Sequence, residues 1–166
     1  MRASTPDPVI RCTTPVGTLI LGAAAGALTL CDWEDSRHIE KHIAAAQISD
    51  NCAGLLEQAK IQVEEYFAGE RNAFTLPLTP AGTPFQKQIW TALSQTGYGE
   101  TLSYAQIASR IGRPEAVRAV ANAIGANPIS ILIPCHRVIG SDGSLTGYAG
   151  GIAAKQFLLD LESSCK

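Results

Sequence analysis

The run Ile129, Ser130, Ile131, Leu132, Ile133 is short, largely β-branched and closed at both ends by Pro128 and Pro134, and Cys135, His136, Arg137 and Val138 follow at once. A short β-branched run bounded by two prolines reads as a buried core strand ending at a forced turn, which delivers a thiol and an adjacent imidazole on a rigid frame. The thiolate is the nucleophilic form of cysteine, and a neighbouring base such as imidazole governs how readily it forms. His136 is the nearest such base. Successive residues of a strand point to opposite faces, so contact between Cys135 and His136 calls for a turn or a bridging water.

The chain has 166 residues, 46% hydrophobic and 17% charged, enough for one large domain or two small ones. No stretch approaches the roughly 18 consecutive apolar residues of a membrane span, and Met1 to Pro8 lacks the blocks of a signal peptide, so a cytoplasmic protein with no membrane partner is expected. Five cysteines at irregular spacing argue against a disulfide framework and leave Cys135 free to react. Cys12, Cys31, Cys52, His38 and His42 lack the close pairing of a zinc site, so neither a metal nor a cofactor is expected. The net charge is −2, yet Arg110, Arg113, Arg118, Arg137 and Lys155 outweigh Glu115 and Asp142 between residues 101 and 155. That local surplus marks a candidate surface for a polyanion.

Along the chain, strands are predicted near Pro8–Thr13, Thr18–Ala23 and Ala27–Trp33, followed by a helix around 37–47. Leu55, Leu56, Ala59, Val63, Tyr66 and Phe67 recur at helical spacing before Gly69, and Phe74, Leu76 and Leu78 alternate as in a strand. Residues 79–82 form a linker, which divides an N-terminal α/β domain, 1–79, from a mostly helical C-terminal domain, 83–166. Thr83, Pro84 and Gln86 make a capped helix start, and Phe85, Ile89, Trp90 and Leu93 its apolar face; Ser103 and Gln106 repeat the cap. Gly112 closes the second of these helices and Pro114 opens another to about Ile124, a helix-turn-helix arrangement. Ala116, Ala119, Ala121 and Ala123 predict a low, smooth surface on that helix from which Arg118 projects. A last helix from about Ala153 packs Phe157, Leu158 and Leu161 and carries Glu162 near its end.

Pro134, Cys135, His136, Arg137, Val138 resembles the active-site signature of the O6-alkylguanine-DNA alkyltransferases. The resemblance extends in order through Thr83–Gln86, Ser103 and Tyr104, Arg118 to Val120, Asn127 and Pro128, and Gly147 to Gly151. It implies a ribonuclease-H-like α/β domain followed by a winged helix-turn-helix-like domain that enters the minor groove of double-stranded DNA as a monomer. It also implies a single irreversible transfer of an alkyl group from O6 of guanine, with O4 of thymine as a second substrate, to Cys135. By the same resemblance His136 takes the thiol proton through a water, Glu162 orients the imidazole and Tyr104 assists departure of the base. Arg118 fills the space of the flipped nucleotide, flanked on its helix by Ala116 and Ala119. Asn127 braces the turn, and the backbone at Cys135, Val138, Tyr148, Ala149 and Gly150 reads the guanine. Ala149 stands where some relatives carry serine, which removes a hydroxyl contact. Two other readings share these residues. A thiol hydrolase would turn over esters, and a non-catalytic helix-turn-helix protein would bind DNA without needing Cys135.

Overall fold

A computed structural model describes residues 9–49, 51–145 and 147–164. Pro8, expected to open the first strand, and Cys165 lie outside them. Three strands, β1 (Ile10–Thr14), β2 (Gly17–Ala24) and β3 (Ala27–Trp33), form an antiparallel meander in the order β1-β2-β3. Ala25 and Gly26 both take positive φ at the β2–β3 turn, which suits the right-handed twist of a tight hairpin. Helix α1 (Ile39–Ala45) covers one face over a small cluster of Ile20, Leu30 and Ala46. Helix α2 (Ala53–Phe67) turns Leu56, Ala59, Val63 and Tyr66 to the other face, at the helical spacing the sequence predicts. Every residue of β3 is consequently buried.

The C-terminal part is built from α3 (Pro84–Ser94), α4 (Tyr104–Arg110), α5 (Val117–Gly125) and α6 (Ile152–Ser164), with a two-stranded parallel ribbon of β4 (Leu102–Ser103) and β5 (Val138–Ile139). Thr83 and Ser103 both form reciprocal capping boxes, with Gln86 and Gln106, so these starts are fixed by local sequence. Trp90 on α3 donates its indole N–H to the Ala123 carbonyl at 2.9 Å and locks α3 to α5.

Several expectations are corrected. Residues 129–133 are buried, but they form no strand: Ile129 bridges Cys31 of β3 and the chain then turns at once, with Ile131 at φ 72°. The 74–78 segment likewise makes a single bridge, Leu28 to Leu78. Pro77, Pro80, Pro128 and Pro134 supply no N–H, so neither segment sustains a ladder. Each instead caps part of the outer edge of β3: Leu28 N–H donates to Pro77 O at 2.8 Å and Cys31 N–H to Pro128 O at 2.9 Å. Helix α5 starts at Val117 rather than Pro114, because residues 114–116 remain a turn. Ala123, expected on the smooth outer surface, is buried against Trp90. On α6 the buried stripe is Ala154, Lys155, Leu158 and Glu162, with Phe157 and Leu161 only half-buried.

Candidate functional site

The turn forced by Pro134 places Cys135, His136 and Arg137 on one turn of 3-10 helix, and all three are buried. Of the two ways the dipeptide could be used, the backbone takes the turn. Asn127 holds this loop from the end of α5. Its side-chain amide donates to Ile133 O at 2.8 Å, and its Oδ1 accepts the Ile129 N–H at 3.0 Å. Two backbone groups that no ladder satisfies are thereby paired, across the two prolines. Val138 continues into β5 and pairs with Leu102, directly before the capped start of α4 that carries Tyr104.

Glu162 reaches the loop from α6 and is 1% exposed. Its Oε2 accepts from His136 Nε2 at 2.6 Å, from the Tyr66 hydroxyl at 2.6 Å and from Arg137 Nη2 at 3.0 Å. Its Oε1 accepts from Arg137 Nε at 2.9 Å and from the Gly99 N–H at 3.3 Å. Arg137 Nη1 donates to Thr96 O at 2.6 Å. Burial alone would raise the Glu162 carboxyl, but these donors outweigh it and hold the group down at about 2. Burial keeps His136 below the ordinary imidazole range despite Glu162, so the ring is neutral near pH 7. Because Glu162 accepts from Nε2, the proton of the neutral ring sits there. Nδ1 is a buried acceptor with no partner among the described residues.

Cys135 is 7% exposed, and burial pushes its thiol up to about 11, a hydrogen bond from Asn127 and the charge of Lys155 acting the other way. Lys155, on α6, is fully buried, and its own pKa is lowered by that burial. A cleft of about 590 Å³ is lined by Tyr104, Asn122, Gly125, Gly147, Tyr148 and Ala149 together with Asp35, Arg37 and His38; residues 135–138 do not line it. Its volume lies within the roughly 300–1,000 Å³ usual for pockets that enclose small organic molecules. Tyr148 links the cleft wall to the thiol: its pKa is raised by burial first and next by the charge of Cys135. The wall is braced from the N-terminal half, where Trp33 Nε1 donates to the Tyr148 hydroxyl at 3.2 Å. At Gly150 a Cβ would lie 2.7 Å from the Trp33 ring, so the approach of that loop requires glycine.

The structure brings Cys135, His136, Val138, Asn127 and Glu162 together at one loop, puts Tyr104, Tyr148 and Ala149 in the cleft wall, and sets Gly150 against Trp33. Arg118 and Ala119 stand apart on the exposed face of α5, with Ala116 half-buried at its start. Arg118 forms no hydrogen bond or ion pair among the described residues. The charge count needs correcting, because Arg137 and Lys155 are internal and only Arg110, Arg113 and Arg118 face outward. Three participants escape a reading of the sequence as patterns: Arg137, Tyr66 and Lys155. A tyrosine in the buried stripe of α2 was the available signal, since a buried hydroxyl needs a partner.

Residues 12–80 match the model described as 6-O-methylguanine DNA methyltransferase, ribonuclease-like domain, and residues 84–164 that of the DNA binding domain of the same family. A methylated-DNA–protein-cysteine methyltransferase of Methanosarcina barkeri is 46% identical over 91% of this chain and 94% of its own. The constitutive enzyme of that name from Bacillus subtilis is 44% identical over 90% and 91%. The crystal structure of Mycobacterium tuberculosis O6-methylguanine methyltransferase superposes with a TM-score of 0.82 at 42% identity, covering 95% of this chain and 93% of that one. A structure of the M. tuberculosis protein in complex with DNA gives 0.82 at 42% identity over 93% and 92%.

Proposed function

Because the chain belongs to the 6-O-methylguanine DNA methyltransferase family and repairs O6-methylguanine in DNA by methyl transfer to a protein cysteine, we propose that Cys135 is the acceptor and the His136–Glu162 pair its base. The observation that carries this reading is the neutral, buried His136, fixed at Nε2 by Glu162, with Nδ1 left as an acceptor beside Cys135 in the sequence. A thiol pushed up to about 11 is almost wholly protonated at neutral pH, so attack needs a base. A buried acceptor of this kind is satisfied by water, and one water completes the path from the thiol to Nδ1. The positive Lys155 stabilises the charge that develops on sulfur.

In the transfer the Cys135 Sγ–carbon bond forms as the carbon–O6 bond breaks. The thiol proton passes to His136 and from there, through water, ends on the guanine ring, so that the base leaves neutral and the imidazole is restored. The Tyr104 hydroxyl, in the cleft wall, donates toward ring nitrogen N3 and helps it leave. Tyr148, Ala149 and Gly150, with the backbone at Cys135 and Val138, hold the flipped base, and Asn127 keeps the loop in register. O4-alkylthymine presents the same carbon–oxygen bond and is a second substrate. The product is a thioether that no group of the site cleaves, so each molecule acts once.

DNA is bound as a duplex through its minor groove by a monomer. Helix α5 approaches closely where Ala116 and Ala119 leave it low, and Arg118 fills the gap left by the flipped nucleotide. That offsets part of the few kcal/mol that unstacking and unpairing cost. The free thiols Cys12, Cys31, Cys52 and Cys135 fit a reducing compartment such as the cytoplasm. No helix among the described residues is long and apolar enough to cross a membrane.

Incubation with a duplex carrying one O6-methylguanine, followed by intact-mass analysis and peptide mapping, tests the assignment. One methyl group per chain on the peptide holding Cys135 is expected. Methyl found on Cys12, Cys31 or Cys52 would reject it, and repeated turnover would reject the single use.

A further inference from the structure

Asp32 and His42 lie outside the residues assigned to substrate and to proton transfer, yet a chain of hydrogen bonds runs from them to the Cys135 loop. Asp32 is fully buried at the end of β3. Its Oδ1 accepts the Trp33 N–H at 2.8 Å, and its Oδ2 lies 2.6 Å from Nδ1 of the buried His42 on α1. The other ring nitrogen, Nε2, is 3.1 Å from the carbonyl oxygen of Ala126, the residue that caps the C-terminus of α5. The next residue is Asn127, whose side chain bonds Ile133 and Ile129 and so carries the turn before Cys135.

A carbonyl oxygen only accepts, so Nε2 must hold a proton. A carboxylate is a weaker base than imidazole, so the proton between Nδ1 and Oδ2 rests on the ring. Both ring nitrogens of His42 thus face acceptors, the arrangement of a ring that donates at each. The titratable groups around it are Asp32, His38, whose ring centroid is 5.6 Å away, and Arg37 and Lys41 on the adjoining chain. Only Asp32 is negative, which makes it the counter-ion. His38 itself is held below its usual value by desolvation first and next by His42.

We propose that His42, kept as an imidazolium by Asp32, is a positioning residue for methyl transfer: it ties the N-terminal sheet to the end of α5 and so fixes the Asn127 turn that presents Cys135. A ring with one proton satisfies Asp32 or Ala126 but not both, and the end of α5 then loses this tie, leaving the turn held to the sheet only by the backbone bonds of Cys31 to Pro128 and Ser130. The inference rests on Cys135 being the acceptor. It touches neither Arg118 nor the exposed face of α5, so it separates the rate of transfer from the strength of DNA binding.

Nitrogen-resolved NMR of the histidine rings in the full chain gives the first readout. Both ring nitrogens of His42 are expected to be protonated at neutral pH in the wild type, and only one in Asp32→Asn. Single-turnover transfer from O6-methylguanine duplex at saturating DNA gives the second. His42→Ala and Asp32→Asn are expected to slow it about tenfold, the scale of one hydrogen bond to a charged group, with DNA affinity unchanged. Reaction with free O6-alkylguanine base slows alike, and His42→Gln, whose amide has two N–H donors, recovers part of the rate. A singly protonated His42 in the wild type overturns the proposal. So does wild-type transfer by the variants, or a loss of DNA affinity in step with the rate that Gln does not rescue. If His42→Ala does not fold, the wild-type spectrum and the Gln variant still decide. A wild type that leaves Cys135 unmethylated overturns the reading beneath it instead.

Discussion

Two buried histidines each meet a carboxylate at 2.6 Å, His136 on Glu162 and His42 on Asp32, and they differ in what the second ring nitrogen does. On His136 it has no partner among the described residues, whereas on His42 it is bonded to a backbone carbonyl. The first ring can pick up a proton and lose it again; the second needs both of its protons merely to keep its bonds. The carboxylates differ in the same sense. Glu162 is surrounded by Arg137, Tyr66 and Gly99 as well as His136, so its charge is balanced whether or not the imidazole is protonated. Asp32 has the Trp33 N–H and His42, and its charge is matched by the ring alone. A cation bonded to the carboxylate, Arg137, lets the Glu162 pair cycle, whereas Asp32 bonds no Lys or Arg among the described residues.

The sharpest cut between the two pairs comes from removing the sulfur. Cys135→Ser is expected to abolish transfer altogether, measured as methyl incorporated into protein, while the duplex still binds and the ring protonation of His42 stays as in the wild type. Residual transfer would place the acceptor elsewhere and leave the two histidines without different jobs.

Glu162→Gln comes next. It strands the buried Arg137 guanidinium without its counter-charge, which costs about 3–5 kcal/mol when a buried pair is broken from one side. Chemical denaturation at neutral pH measures this. The wild type also has an acid signature. The Glu162 carboxyl sits at about 2 in the fold against an ordinary 4.5, so the stabilisation it provides is fully present above 4.5 and is lost as the pH falls through about 2. The variant lacks that dependence. A variant as stable as the wild type would show that Arg137 has another counter-charge and that the two carboxylates are alike after all.

Arg118→Ala lies outside both pairs and tests whether binding and chemistry are separable. Transfer from duplex is expected to fall about tenfold, part of the cost of holding a nucleotide out of the stack, while reaction with the free base is unchanged. Equal loss on both substrates would remove the flipping role.

Much of this contrast could be read in the sequence, though only one half of it. The Cys135–His136 dipeptide after a proline, the two capping boxes and the helical stripe of α2 are local signals, and local signals survive folding. The strand expected at 129–133 failed because hydrophobicity reports burial, and a buried segment between two prolines can as well be a bridged turn. Arg137, Lys155 and Asp32 were beyond reach for a different reason. A charged side chain goes inside only when a partner waits there, and those partners, Glu162 for Arg137 and His42 for Asp32, are 25 and 10 residues away in sequence. His42 looked like one more unpaired metal-type residue until the fold set Asp32 and Ala126 on its two nitrogens.

Tyr66→Phe is the gentlest test of the crowded carboxylate. The hydroxyl donates to Glu162 Oε2 at 2.6 Å, and the tyrosine's own pKa is raised by burial and then by that negative charge. Removing it leaves Oε2 with His136 and Arg137 and leaves no new buried polar group behind, because phenylalanine keeps the ring in its place between Phe67, Phe74 and Tyr98. The expected loss is about 1–2 kcal/mol, the lower part of the range for a hydrogen bond to a charged group. One donor fewer also raises the Glu162 carboxyl, so acid destabilisation begins at a higher pH than in the wild type. Transfer continues, since Nε2 of His136 keeps its acceptor. Were Tyr66→Phe instead to cost as much as Glu162→Gln, the charge of Glu162 would be held by the phenol rather than by Arg137, and the imidazole beside it would be as tightly bound to a single arrangement as His42 is.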